Sequence, residues 1–89
     1  MTPDQLRAAI AADCPHRLPD YDGHLAGRQP TTAFLRLWRI EHAISSRPRL
    51  EARIDRLYRR AQKTRSVWRS QRLIAKASRI RHQITRGLK

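Results

Sequence analysis

The sequence has very few of the residues on which several classes of protein depend. Its single cysteine, Cys14, cannot form an internal disulfide, and its three glycines form no glycine-rich phosphate loop. No apolar run approaches the roughly 18 residues that cross a bilayer, so we expect no transmembrane segment. The first twenty residues include Asp4 and Asp13 and do not resemble a secretory signal. These absences favour a small cytoplasmic protein of one domain.

Strand signals are also absent, whereas helical signals recur along the chain. The segment Thr2-Pro3-Asp4-Gln5 is a capping box with proline at the first helical position. Leu6, Ile10 and Cys14 follow at intervals of four residues and predict an apolar stripe on a first helix. Pro15 is expected to end that helix. A short second helix is expected from Pro19 to Gly27.

The third helix carries the clearest apolar pattern of the first half. Thr31 or Thr32 is expected to cap it, and Trp38 is expected at the edge of its core face. That face is predicted to consist of Ala33, Leu37, Ile40 and Ile44, with Phe34 alongside. The turn that ends in Pro48 predicts a hairpin of the third and fourth helices.

From Leu50 the pattern is helical as far as Gly87, but its apolar side changes. Apolar residues of 50–68 lie on one side of a helix, and those of 73–88 lie on nearly the opposite side. This favours a break near Arg69 and Ser70, with Ser70 as the cap of a fifth helix, over one continuous helix. The predicted fold is therefore all-α, a small bundle of four to five helices with a helical hairpin and a long, very basic C-terminal helical region.

Acidic residues are nearly missing from the second half of the chain. Residues 49–89 hold fourteen Lys or Arg and two acids, which gives +12, whereas residues 1–48 hold six Arg and five acids, which gives +1. No acid follows Asp55. We expect residues 1–48 to be a near-neutral helical support and residues 49–89 a basic region that faces an anionic partner.

Like charges at i, i+4 repel, and this repulsion is tolerable where phosphates supply the counter-charge. The sequence therefore predicts a noncatalytic nucleic-acid-binding protein, with DNA slightly favoured over RNA. A solvated helix face, made rich in arginine by the codon usage of a GC-rich genome, is the alternative interpretation. The residues predicted to contact the phosphate backbone are Arg53, Arg56, Arg59, Arg60, Lys63, Arg65, Arg69, Arg72, Lys76 and Arg79.

Two further surfaces have alternative interpretations. Trp68 continues the apolar stripe of the fourth helix and is expected mainly to pack, with base stacking as the alternative. The fifth helix presents a second stripe, and a groove in a partner protein or a homodimer could cover it. An antitoxin-like or assembly subunit is thus the alternative function. Binding of the basic amphipathic end to a membrane surface is a third interpretation, although the bulky apolar face that it requires is missing beyond Trp68. The residues of this partner stripe are Leu73, Ile74, Ala77, Ile80, Ile84 and Leu88.

Signals for an enzyme or a metal site are weak. Cys14, His16 and His24 carry ligand atoms, with Asp20 and Asp22 between them, but their spacing matches no zinc pattern. No third group would orient a Cys–His pair for catalysis. We therefore expect no enzymatic activity, no metal and no cofactor.

Three segments carry a family resemblance: TPDQLRAAI, LPDYDGHLA and FLRLWRIEHAI, the last followed by a proline-containing turn. Over roughly residues 2–55 the chain resembles a group of small helical actinobacterial proteins, some of which lie beside toxin genes. That group has no established mechanism to carry over. Its members do not typically end in so basic a helix, so the resemblance implies nothing about residues 56–89.

Overall fold

The structure is a computed structural model, and it describes residues 1–88. Across these residues all regular secondary structure is helical, with no strand, which confirms the all-α prediction. The chain divides into two compact units, residues 1–46 and the residues from Arg47 onward. The helices are α1 (Pro3–Asp13), α2 (Leu18–Leu25), α3 (Thr32–Ser45), α4 (Pro48–Lys63) and α5 (Val67–Gly87), with a 3-10 turn at Pro15–Arg17.

Helix α1 forms as the local sequence predicts. The Gln5 backbone N–H donates to Thr2 Oγ1 at 3.1 Å, and the Thr2 N–H donates to Gln5 Oε1 at 2.9 Å, so the capping box is confirmed. Leu6, Ile10 and Cys14 are all 0% exposed, which confirms the apolar stripe. These three residues supply one side of the core of the first unit.

Helices α2 and α3 supply the other side of that core through aromatic rings. Tyr21 lies 5.4 Å from the rings of both Phe34 and Trp38. The predicted α3 core face is confirmed at Ile44, which is buried, and at Phe34, which packs against the core, but it is wrong at Ala33 and Leu37, which are exposed, and at Trp38, which is 4% exposed rather than at the edge. The large rings opposite Tyr21 bury more surface than Ala33 and Leu37 would, so they set the rotation of the helix.

In the second unit, α4 and α5 pack against each other as a helical hairpin joined by residues 64–66. The predicted break is confirmed, but its predicted position is wrong. Ser66, not Ser70, caps α5, and Thr64 and Ser66 are both extended. The backbone N–H of Ser70 donates to Ser66 O at 3.0 Å, which places Ser70 within the first turn of α5. The predicted hairpin of the third and fourth helices stays a prediction.

Candidate functional site

The fourth helix separates apolar and cationic residues onto different sides. Ile54, Leu57 and Ala61 recur at i, i+3 and i+7 and are buried. Arg56, Arg59 and Arg60 fall between these positions, Lys63 follows them, and all four are exposed. The helix ends at Lys63, where the Thr64 N–H donates to Arg60 O at 3.1 Å. The last turn of α4 therefore presents cations at the hairpin turn.

Helix α5 begins with a serine cap that brings its own cations to the same end of the hairpin. Ser66 Oγ accepts a hydrogen bond from the Arg69 N–H at 3.3 Å, which fixes the first turn of the helix. Because only three residues separate the helices, Arg69 and Arg72 of α5 lie near Arg60 and Lys63 of α4. The positive end of the α5 helix dipole adds to the attraction of this end for anions.

Between these four cations lies an open groove, which we call the cationic groove. Its volume is about 440 Å³. A second concavity of about 420 Å³ follows along α5 and shares Arg72 and Leu73 with the first. The cationic groove is lined by Arg60, Lys63, Thr64, Arg69, Arg72 and Leu73, and the second concavity by Arg72, Leu73, Ala75, Lys76 and Arg79.

All ten cations predicted to contact phosphate are exposed. Among residues 1–88, the side chains of these ten make no hydrogen bond or ion pair to another side chain. The structure brings together six of them at the two concavities. The remaining four, Arg53, Arg56, Arg59 and Arg65, do not line either concavity.

The first unit uses its cations differently. Arg7 pairs with Asp22 at 2.9 Å, and Arg17 pairs with Asp20 at 3.0 Å and with Glu41 at 3.1 Å. The side-chain hydrogen bond from Arg7 lowers the pKa of Asp22, and the same bond raises the pKa of Arg7. Arg7 and Arg17 thus make contacts within the fold, whereas the ten hairpin cations predicted to contact phosphate make no such pair.

Trp68 contradicts the expectation that it packs. Its side chain is 71% exposed, as is that of its neighbour Val67. The expectation extended the α4 stripe from Ala61, but α4 ends at Lys63 and the turn breaks that register. Base stacking by Trp68 stays a prediction.

The predicted partner stripe on α5 is largely covered. Ala77 is fully buried, whereas Ile74 is 42% exposed and is the most exposed member of the stripe. The protein-partner function stays a prediction, with less exposed apolar surface than the sequence alone suggests. The other four stripe residues, Leu73, Ile80, Ile84 and Leu88, are half-buried.

Cys14, His24 and Asp22, three of the residues that carry metal-ligand atoms, make packing, hydrogen-bond or ion-pair contacts within the fold. Cys14 is enclosed in the core, and His24 Nδ1 accepts a hydrogen bond from Trp38 Nε1 at 3.0 Å. Asp22 pairs with Arg7. Across residues 1–88, no three His, Cys, Asp or Glu side chains are grouped to hold a metal ion.

Sequence reasoning missed the contribution of Thr64 and Ala75 to the concavities. Thr64 had a signal, because the polar segment Thr64-Arg65-Ser66 follows a helical pattern and precedes another, as turns do. No sequence pattern indicates that Ala75 lines the second concavity, because this depends on how the two helices pair.

No protein family matches the chain, and no curated protein or solved structure matches it either. Within residues 1–88, no helix is both long enough and apolar enough to span a membrane.

Proposed function

We propose that the protein is a noncatalytic nucleic-acid-binding protein that holds the phosphate backbone with the α4–α5 hairpin. The observation that carries this proposal is the set of ten exposed cations without a carboxylate partner among the described residues. An ordinary solvated helix face mixes charges of both signs and forms i, i+4 ion pairs. In the first unit Arg7 and Arg17 pair with carboxylates, whereas these ten cations of the hairpin do not.

The cationic groove is the proposed site of phosphate binding. Arg60 and Lys63 approach it from one helix, and Arg69 and Arg72 approach it from the other. Crowding four cations around one open groove costs electrostatic free energy, which a bound phosphate would offset. Arginine also holds phosphate through two parallel hydrogen bonds, a geometry that lysine lacks. The backbone of a nucleic acid supplies such groups in series, and each contact releases condensed counterions.

The experiment is a titration of labelled duplex DNA and single-stranded RNA with the purified protein across a series of salt concentrations. The double variant Arg60→Gln/Arg72→Gln removes two groove cations. We expect it to bind more weakly and to flatten the slope of log K against log salt by about 0.9 for each lost contact to duplex DNA, or about 0.7 on a single strand. The preference for DNA over RNA is read from the same titrations.

The matched control is Arg28→Gln/Arg36→Gln, which removes the same charge from exposed positions of the first unit. We expect its salt slope to equal that of the wild type. Equal slopes for the two double variants would show that net charge, and not the groove, governs binding. Negligible binding of the wild type to both polymers at low salt would rule out the function itself.

A further inference from the structure

Trp68 is the largest apolar side chain that the second unit leaves in solvent. It is 71% exposed, and Val67 beside it is equally exposed. Trp38, the other tryptophan, is 4% exposed, so the chain has no general tendency to leave indole rings uncovered. Burying a tryptophan normally contributes substantially to the stability of a small domain. Its exposure on the first turn of a helix therefore points to a ligand.

The surroundings of Trp68 indicate the charge of that ligand. Arg65 and Arg69 flank it in the sequence, and Arg72 lies at i+4, which places Arg72 on the same side of α5. All three arginines are exposed, and within residues 1–88 their side chains have no partner. Arg69 and Arg72 also line the cationic groove. An aromatic face thus adjoins an anion-binding surface.

A ligand that fits both features carries a flat apolar face and a nearby negative charge. We propose that Trp68 is a stacking platform for an unpaired base, and that the preferred partner of the hairpin is a single-stranded nucleic acid whose phosphates lie in the cationic groove. In a duplex the faces of the bases are covered by their neighbours, whereas an unpaired strand offers them to aromatic side chains. This inference rests on the proposed function and specifies its substrate class.

The test compares four ligands: oligothymidylate and oligouridylate of about 16 nucleotides, an abasic deoxyribose-phosphate strand of the same length, and a duplex of that length. We expect the wild type to bind the two base-containing single strands more tightly than the abasic strand at equal salt. Trp68→Ala should weaken binding to those two strands roughly 5- to 150-fold. It should change abasic-strand and duplex binding little and leave the salt slope unaltered, because no charge is lost.

Two matched controls use the same site. Trp68→Phe keeps an aromatic face and should restore much of the affinity, whereas Val67→Ala at the equally exposed neighbour should not lower it comparably. Stacking should also quench tryptophan fluorescence in the wild type and not in Trp68→Phe, since the remaining Trp38 is buried. Because Trp68 is exposed, all three variants should retain the helical circular dichroism of the wild type.

The outcomes separate this inference from the proposed function. Equal binding of base-containing and abasic strands, with no effect of Trp68→Ala, would overturn the stacking platform while the phosphate-binding function stands. Failure of every nucleic acid to bind at low salt would overturn both. Binding of phosphatidylcholine vesicles that contain phosphatidylglycerol, lost in Trp68→Ala while strand affinity is unchanged, would overturn the platform in favour of membrane contact.

Discussion

Arg17 shows how single residues stabilise the first unit. Its guanidinium donates to Ser45 Oγ at 2.9 Å and to Glu41 at 3.1 Å, and it lies 5.2 Å from the centre of the Trp38 ring. Burial lowers the pKa of Arg17, but the hydrogen bonds and charges of Glu41 and Asp20 outweigh burial and raise it overall. Arg17 therefore stays charged and joins the 3-10 turn to α3 through polar contacts.

The pair of Arg7 and Asp22 gives a prediction at the same scale. Arg7 donates to both carboxylate oxygens of Asp22, at 3.0 and 2.9 Å, and this lowers the pKa of Asp22. We expect Arg7→Gln to raise that pKa toward its usual 3.8, as measured by an NMR titration of the side-chain carboxyl carbon. Arg28→Gln, which removes the same charge elsewhere, is the control. An unchanged Asp22 pKa in Arg7→Gln would show that the contact is not formed.

The lowered pKa of Asp22 also determines how the stabilising contribution of the Arg7–Asp22 contact depends on pH. The pKa of Asp22 is lower in the folded chain than the usual 3.8, so the folded state favours the ionised carboxylate. The contribution of the contact to the free energy of unfolding is therefore complete above pH 3.8 and is lost as the pH falls through the folded-state pKa. Both side chains are about half exposed, so solvent and salt keep this contribution small.

At the scale of an element, the cap of α5 stabilises the start of the helix that carries Arg69 and Arg72 of the cationic groove. Ser66→Ala removes the hydroxyl that accepts the Arg69 N–H, and we expect this to destabilise the hairpin by about 1 kcal/mol. Denaturant unfolding followed by circular dichroism would measure the loss. Ser78→Ala is the matched control, because Ser78 is exposed in the interior of α5, where alanine is the better helix former. Equal stability of the two variants would contradict the role of the cap.

The elements also show what the sequence could predict. The start of α1 depends on Thr2 and Gln5, which lie three residues apart, so local reasoning found it. The rotation of α3 depends on Tyr21 and His24 of α2, which no pattern within α3 reveals. The position of the α5 cap was missed because Ser66 and Ser70 are both acceptable caps, and the change of apolar face pointed to the later one.

The candidate site was predictable in its composition and not in its shape. The absence of acids after Asp55 is visible in the sequence, and all ten cations predicted to contact phosphate are exposed. The cationic groove exists because the turn at 64–66 brings Arg60 close to Arg72, and the distance between helices cannot be read from a charge pattern. The exposure of Trp68 followed from the same turn.

At the scale of the whole molecule, the uneven distribution of charge predicts that salt affects the stability of the two units differently. Residues 49–89 carry a charge of +12, so their mutual repulsion opposes folding of the hairpin and weakens as salt screens it. Residues 1–48 are nearly neutral and contain attractive pairs such as Arg7–Asp22, which the same salt weakens. The two units should therefore respond to salt with opposite signs.

We expect the midpoint of thermal unfolding of the hairpin to rise between about 10 mM and about 150 mM NaCl, as the Debye length falls from about 30 to about 8 Å. The first unit should stay constant or fall slightly over the same range. The variant Trp68→Phe allows the comparison, because its fluorescence then reports Trp38 of the first unit alone, while circular dichroism reports all the helices. This rise of the midpoint comes from screening of the repulsion between the basic residues. Replacing Arg60, Lys63, Arg69 and Arg72 by Gln should therefore make the rise smaller. A midpoint that falls with salt by both probes would mean that attractive pairs govern the entire chain.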